Sequence, residues 1–356
     1  MIAHHPFPVF DGHNDTLLRL YQSENGRDFF QESTHGHLDL PRARRGGFAG
    51  GFFAIFTPDS TLSRTIEESL IITDTGYEVL PFPAIDPAHA RKLTTSVIAQ
   101  LYRLERESQG QVKVVRTTNE LTHCLQHGIL AIILHFEGAE AIDPHFDALE
   151  LFYQAGLRSL GIVWSRPNIF GHGVPFQFPH TPDTGPGLTD SGRELVRVCN
   201  QLGIMLDLAH INEQGFFDVA RLSQAPLVVT HSAAYTLCHS TRNLTDRQLD
   251  AIKASNGVVG LNFEVCNLRE DAHDDSDTPL SVMVKHIDYL VYRLGIDGVA
   301  FGSDFDGGIT TARELGDVAG LPHFIAALRE HGYDEASLRK LTHENWLRVL
   351  RLTWKD

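Results

Sequence analysis

Lysine is scarce in this chain: there are six in 356 residues, Lys92, Lys113, Lys253, Lys285, Lys340 and Lys355, and none closes a short apolar run. A Schiff-base lysine, or a carbamylated lysine bridging two metals, is therefore not available at a strand end. Cysteine is as sparse. The four copies, Cys124, Cys199, Cys238 and Cys266, form no C-x-x-C pair, which removes the zinc-ribbon and thioredoxin-like readings and fits a reducing cytoplasm. There is no G-x-x-x-x-G-K-[ST] loop, no G-x-S-x-G elbow and no G-x-G-x-x-G turn after the first apolar run. P-loop, serine-hydrolase and dinucleotide chemistry thus lack their signatures. No apolar run is long enough to span a bilayer. Residues 1–10, MIAHHPFPVF, have neither the basic start nor the apolar stretch of a secretory signal. No Lys/Arg cluster occurs, and 30 basic against 45 acidic side chains leave a formal charge of −15. Nucleic acid and anionic membrane surfaces are excluded as natural partners on that balance.

What is present is an alternation. Short runs rich in β-branched and aromatic residues recur at Val9–His13, Ala49–Phe56, Ile129–Phe136, Ser159–Trp164, Ile204–His210, Leu227–His231, Val258–Phe263 and Val299–Asp304. Between them lie stretches of helical spacing, including Pro87–Glu107, Phe146–Ala155, Thr189–Leu202, Thr245–Ala254 and Leu280–Leu294. Eight strands apolar on both faces and alternating with helices predict an α/β fold, a closed (β/α)₈ TIM barrel. A doubly wound open sheet is the alternative. No internal repeat or low-complexity linker divides the chain, so residues 1–356 are read as a single barrel domain. Its long βα connections are 57–86, 166–188 and 266–279. In a barrel they sit at the carboxyl-end mouth, where active sites of this architecture are built.

The polar residues that close these runs carry the functional argument. The first run leads into His13 and, two residues on, Asp15; the third into Glu137; the fifth into His210; the sixth into His231; the eighth into Asp304. The His-x-Asp spacing by itself means little, because it recurs at His37, His145, His273 and His286. Convergence of five strand ends on one rim is the informative feature. Nitrogen and carboxylate oxygen without thiolate is a ligand set for Zn²⁺, with Mn²⁺ or Fe²⁺ as substitutes. Six groups overfill one ion and suit two, with a water or hydroxide between them. The bridge needs two donor oxygens, and with no lysine at a strand end Glu137 is its natural source.

Five segments stand in order along the chain: Asp11-Gly12-His13-Asn14-Asp15, Phe136-Glu137-Gly138, Asp207-Leu208-Ala209-His210, Thr230-His231-Ser232 running on to Ser240-Thr241-Arg242-Asn243, and Gly302-Ser303-Asp304-Phe305-Asp306-Gly307. Together they resemble the motifs of the membrane dipeptidase (renal dipeptidase) family of zinc peptidases, peptidase family M19. The likeness extends from Asp11 to Asn345-Trp346-Leu347-Arg348-Val349. It implies a barrel of the metallo-dependent hydrolase type, two Zn²⁺ per chain, and hydrolysis of dipeptides, including those with a C-terminal D-residue. It places His13 and Asp15 on one zinc, His210 and His231 on the other, and Glu137 between them. Arg242 falls where the family holds the substrate carboxylate, which suits a guanidinium fork. The resemblance also implies a homodimer and, without the leader and lipid-anchor tail of the mammalian members, a soluble cytoplasmic bacterial enzyme.

One position departs from the pattern. Mammalian members carry a substrate-binding histidine after the fourth strand, where this chain has Trp164, which cannot accept a proton. In the mechanism expected here a hydroxide between the metals attacks the scissile carbonyl, and Asp304 takes its proton and passes it to the leaving amine. Two rivals stand beside it. One is a related binuclear hydrolase acting on a lactone, cyclic amide or deaminase-type substrate; the other is a non-catalytic binding protein, motivated by Trp164 alone.

Overall fold

The computed structural model describes residues 8–22, 27–59 and 66–355. Most of the N-terminal stretch read for a leader, and the 60–65 part of the first long connection, lie outside the described residues. Eight parallel strands in chain order form a nearly closed barrel: β1 (Val9–Asn14), β2 (Phe48–Phe56), β3 (Leu130–Glu137), β4 (Leu157–Gly161), β5 (Met205–Asp207), β6 (Val228–Ser232), β7 (Val258–Leu261) and β8 (Val299–Phe301). Each pairs in parallel with the next, as in Phe56 opposite Glu137 and Glu137 opposite Gly161. Beyond β8 the chain returns to β1 and closes the ring. The Asp304 amide donates to the His13 carbonyl at 3.0 Å and the Asp15 amide to the Phe305 carbonyl at 2.8 Å.

The barrel exists because its strands can be buried on both faces. Inside, Phe10, Phe52, Ile133, Met205, Val228, Val258 and Ala300 form one buried cluster with Trp346. Trp346 belongs to the helix Asn345–Thr353, and its indole N–H donates to the Phe301 carbonyl at 3.0 Å. Gly12 is required beside it. A Cβ there would lie 2.4 Å from the Thr230 carbonyl oxygen and 2.5 Å from the Trp346 ring, too close for any side chain to be accommodated without shifting backbone. Outside, a second and larger cluster lies between strands and helices, from Leu17 and Phe53 round to Phe324 and Leu341.

The helices start where their chemistry dictates. Pro87–Glu107 has Asp86 accepting from the Ala88 and His89 amides, both at 3.2 Å, with Pro87 at the first position. Asp190–Leu202 is capped by Thr189 and ends at Gly203 in the left-handed region, φ 74°. Thr245 closes a capping box with Gln248 ahead of Asp246–Ala254. Among the described residues no helix is long and apolar enough to cross a membrane.

Two of the long connections are joined. Leu70–Ile72 and Tyr77–Val79 from the first pair with Gln177–Phe178 from the second in a small antiparallel sheet, Tyr77 opposite Phe178. Residue spacing alone does not predict it. Several barrel strands are also shorter than expected: the fifth ends at Asp207 rather than His210, and the eighth at Phe301 rather than Asp304.

Candidate metal centre

The two shortened strands explain how their functional residues reach the mouth. His210 and Asp304 each lie three residues beyond the strand, in the left-handed region at φ 63°, a conformation unfavourable for a side chain with a Cβ and held only by its surroundings. The His210 carbonyl accepts from the Val174 amide at 2.7 Å, and the Asp304 amide is anchored on His13. His13, Glu137 and His231 come from the strands themselves, at β1, the end of β3 and β6. His13 Nε2 lies 3.4 Å from Asp15 Oδ2.

Three of the candidate ligands, the imidazoles of His13, His210 and His231, meet around the Glu137 carboxylate, and Asp15 adjoins His13. Glu137 Oε1 is 2.9 Å from His210 Nε2 and 3.7 Å from both His13 Nε2 and His231 Nε2. The Nε2 atoms of His210 and His231 are 3.1 Å apart, and the His13 and His231 rings are 3.9 Å apart between centroids. On their far sides these imidazoles are engaged by hydroxyls: Ser165 Oγ is 2.8 Å from His210 Nδ1, and Thr230 Oγ1 is 2.9 Å from His231 Nδ1. Asp304 belongs to the same region. It shares with His13 and Asp15 a group whose ligand atoms lie within 4.8 Å of one another, as do His13, Glu137 and His231.

Burial sets the electrostatics. It pushes Glu137 well above the usual carboxylate range, with the charge of Asp15 adding and His13 opposing. It pushes His210 and His231 well below the ordinary imidazole value, helped by Arg242 and His13. For His13 burial works against protonation, but Glu137, Asp15 and Asp304 outweigh it and raise the group to about 10. Burial raises Asp304 to about 6; His13 and Arg242 oppose the rise and Asp15 adds to it.

A divalent cation fits this donor set. Both ring nitrogens of His13 and Oδ1 of Asp15 are buried without a hydrogen-bond partner among the described residues, an expensive arrangement for polar atoms unless something else is coordinated there. The Nε2 atoms of His210 and His231, 3.1 Å apart, converge on the same place. The donors are nitrogen and carboxylate oxygen, a set that zinc accepts, as do other divalent ions.

Arg242, expected at the substrate carboxylate, is buried at the edge of the cluster. Its Nη2 lies 3.2 Å from His210 Nε2 and 3.4 Å from the His231 carbonyl oxygen, and no carboxylate among the described residues pairs with it directly. Trp164 is also here. Its ring packs on Phe56, Phe82, Phe176 and His210 at centroid distances of 4.9, 5.0, 5.4 and 5.8 Å, and Arg166, paired with Glu140 at 2.8 Å, lies over it. Sequence reasoning assigned no part to Asn262, which donates to Asp304 Oδ2 at 3.0 Å, nor to His135, Asp207, Thr230 and Ser165. The one available signal was that Asp207 and Thr230 are polar residues within otherwise apolar runs, each preceding a candidate ligand histidine.

Comparison with known proteins agrees with this geometry. The family model "Membrane dipeptidase (Peptidase family M19)" matches residues 2–355. A crystal structure of a metallo peptidase from Rhodobacter sphaeroides, liganded with a phosphinate mimic of the dipeptide L-Ala-D-Ala, is 51% identical with a TM-score of 0.94, covering 98% of this chain and 99% of that one. The crystal structure of the dipeptidase AC, a metallo peptidase of family M19, is 50% identical with a TM-score of 0.92 over 98% and 99% of the two chains. A Klebsiella pneumoniae protein of the pqqA 5′ region is 48% identical over 259 residues, 73% of this chain and 95% of that one.

Proposed function

The chain belongs to the membrane dipeptidase family, peptidase family M19, and from that premise we propose that it is a binuclear zinc dipeptidase, the whole chain working as one barrel. His13 and Asp15 would hold one ion and His210 and His231 the other, with Glu137 available to both. When bound, the zinc pair polarises the scissile carbonyl and acidifies the attacking water.

The remaining work falls to the chain's own residues. Arg242 holds the free carboxylate of the substrate by a charge-assisted fork, which limits the substrate to two residues. Asp304 accepts the proton of the attacking water on a carboxylate oxygen and delivers it to the leaving amine. A carboxyl group at this position can both take and return a proton. Asn262 orients that carboxylate. Trp164, with Phe56, Phe82 and Phe176 behind it, forms an apolar wall of the substrate site.

The observation that carries this reading is that His210 Nε2 lies between Glu137 Oε1, at 2.9 Å, and the guanidinium of Arg242, at 3.2 Å. A metal-binding donor set and a cation free to take a carboxylate are thus adjacent. The Rhodobacter sphaeroides relative, bound to a mimic of L-Ala-D-Ala, supports a dipeptide with a C-terminal D-residue as substrate. The same reading places the enzyme in the cytoplasm, consistent with four free cysteines, and as a homodimer, to be checked by light scattering.

The test is metal analysis of the purified protein coupled to L-Ala-D-Ala hydrolysis with and without chelator. Two zinc equivalents and chelator-sensitive turnover are expected. Failure on a panel of L,L and L,D dipeptides, with turnover of a lactone or cyclic amide instead, would overturn the assignment.

A further inference from the structure

We propose that Asp207 and Thr230 are positioning residues that fix the tautomer of His231, so that its Nε2 presents a lone pair to the metal site; the proposal rests on the binuclear reading above. Asp207 closes β5, and the register Val228 opposite Asp207 brings it beside β6, where Thr230 and His231 are neighbours. All three residues are buried.

The direction of each hydrogen bond follows from counting protons. A carboxylate only accepts. Asp207 Oδ1 takes two backbone N–H groups, Thr230 at 2.8 Å and Ala209 at 3.0 Å. Asp207 Oδ2 takes the Thr230 hydroxyl at 2.6 Å. That hydroxyl has one proton, and it is committed to the carboxylate, so towards His231 Nδ1, 2.9 Å away, Oγ1 can only accept. Nδ1 therefore carries the hydrogen and Nε2 the lone pair. It is Nε2 that faces Glu137 Oε1 at 3.7 Å and His210 Nε2 at 3.1 Å. A ligand imidazole oriented through its other nitrogen is a general device of metal sites; here the carboxylate acts through an intervening hydroxyl on a β-branched side chain with few rotamers. His210 is held differently. Its Nδ1 meets Ser165 Oγ at 2.8 Å, with no carboxylate hydrogen-bonded to that hydroxyl among the described residues.

The same count gives a sharp variant. In Asp207→Asn the two backbone N–H groups at the Oδ1 position demand an acceptor, so the amide oxygen must sit there and the NH₂ must face Thr230 Oγ1. The hydroxyl then turns its proton to His231 Nδ1, and the imidazole hydrogen moves to Nε2, the wrong atom. Thr230→Val removes the link without changing the shape of the side chain, and Thr230→Ser keeps it.

The experiment is extraction of zinc from the loaded full-length proteins with a chromophoric chelator, followed by ¹⁵N NMR of the imidazoles in the same chelated samples, with near-UV circular dichroism as the check on folding. We expect one of the two zinc equivalents to be held about 10–100-fold more weakly in Asp207→Asn and Thr230→Val, while Thr230→Ser stays close to the parent. The His231 hydrogen should be on Nδ1 in the parent and Thr230→Ser, and on Nε2 in Asp207→Asn. Folded Asn and Val variants that keep both equivalents at parental affinity overturn the proposal, as does an Nδ1 hydrogen retained in Asp207→Asn. If the Asn variant does not fold, the Val and Ser pair decides. A parent protein that holds no zinc sinks the binuclear reading instead, and the NMR tautomers still decide the hydrogen-bond chain.

Discussion

Asn262 and Asp304 meet at 3.0 Å on the rim of the barrel, the amide following β7 and the carboxylate following its neighbour β8. The contact fixes the orientation of the one acidic group at the site that is proposed to move a proton rather than hold a metal. Asp304→Asn should therefore leave the zinc content unchanged and lower kcat by about 10²–10⁴. Metal analysis and steady-state kinetics on one preparation check both halves, and an active variant removes Asp304 from its role.

Arg242 predicts a loss of a different kind. Arg242→Met should reduce kcat/KM for L-Ala-D-Ala by roughly 2–3 kcal/mol, the value of hydrogen bonds between charged groups, with both zinc ions retained. Lysine should rescue poorly, because a point charge does not reproduce the fork. A substrate amidated at its C-terminus should show little difference between the parent and the variant.

Replacing one oxygen of Glu137, proposed to serve both ions, should be felt by the metals. Glu137→Gln keeps the volume but offers a neutral amide where three imidazole nitrogens converge within 3.7 Å. We expect fewer than two zinc equivalents after dialysis against a weak chelator, read by elemental analysis. Full retention of both ions would show that Glu137 is not the bridge.

A pH effect on stability is expected away from the site. Burial lowers His286 from 6.5 to about 4. Its neutral form is fixed by geometry, Nδ1 accepting from the Ala234 amide at 3.2 Å and Nε2 donating to the Leu268 carbonyl at 2.9 Å. Above pH 6.5 the imidazole is neutral whether the chain is folded or not, and its contribution is intact. Between 6.5 and 4 only the unfolded chain takes up the proton, so stability falls with falling pH, by about 3 kcal/mol in total. Below 4 the dependence ends. Urea unfolding of His286→Asn should show a shallower pH dependence over that window than the parent; identical slopes would remove His286 as the cause.

Gly12→Ala should destabilise the barrel by about 3 kcal/mol or prevent its folding, since the added methyl meets the Thr230 carbonyl and the Trp346 ring. Thermal unfolding measures it, and a parental melting temperature would contradict the packing described.

The apolar runs made most of the barrel legible, because a strand covered on both faces needs an uninterrupted apolar stretch; the third run, expected to end at Phe136, ends one residue later. His210 and Asp304 were legible as candidates, but the end of each strand was not. Leu208 and Ala209 look like continuing strand, and only the tertiary anchors at Val174 and His13 turn the chain into the left-handed region. Asp207 and Thr230 escaped notice because a polar residue inside a strand is unremarkable until its partner across the sheet is known. Arg242, ten residues beyond Ser232 in a turn-rich segment, was visible only by family likeness.

Trp346 beneath Gly12 also bears on how the chain is made. The first barrel strand rests on an indole that comes after all eight strands in the chain, so this floor cannot be laid until every strand has been made. Until then the apolar faces of the early strands must be kept from sticking to other molecules.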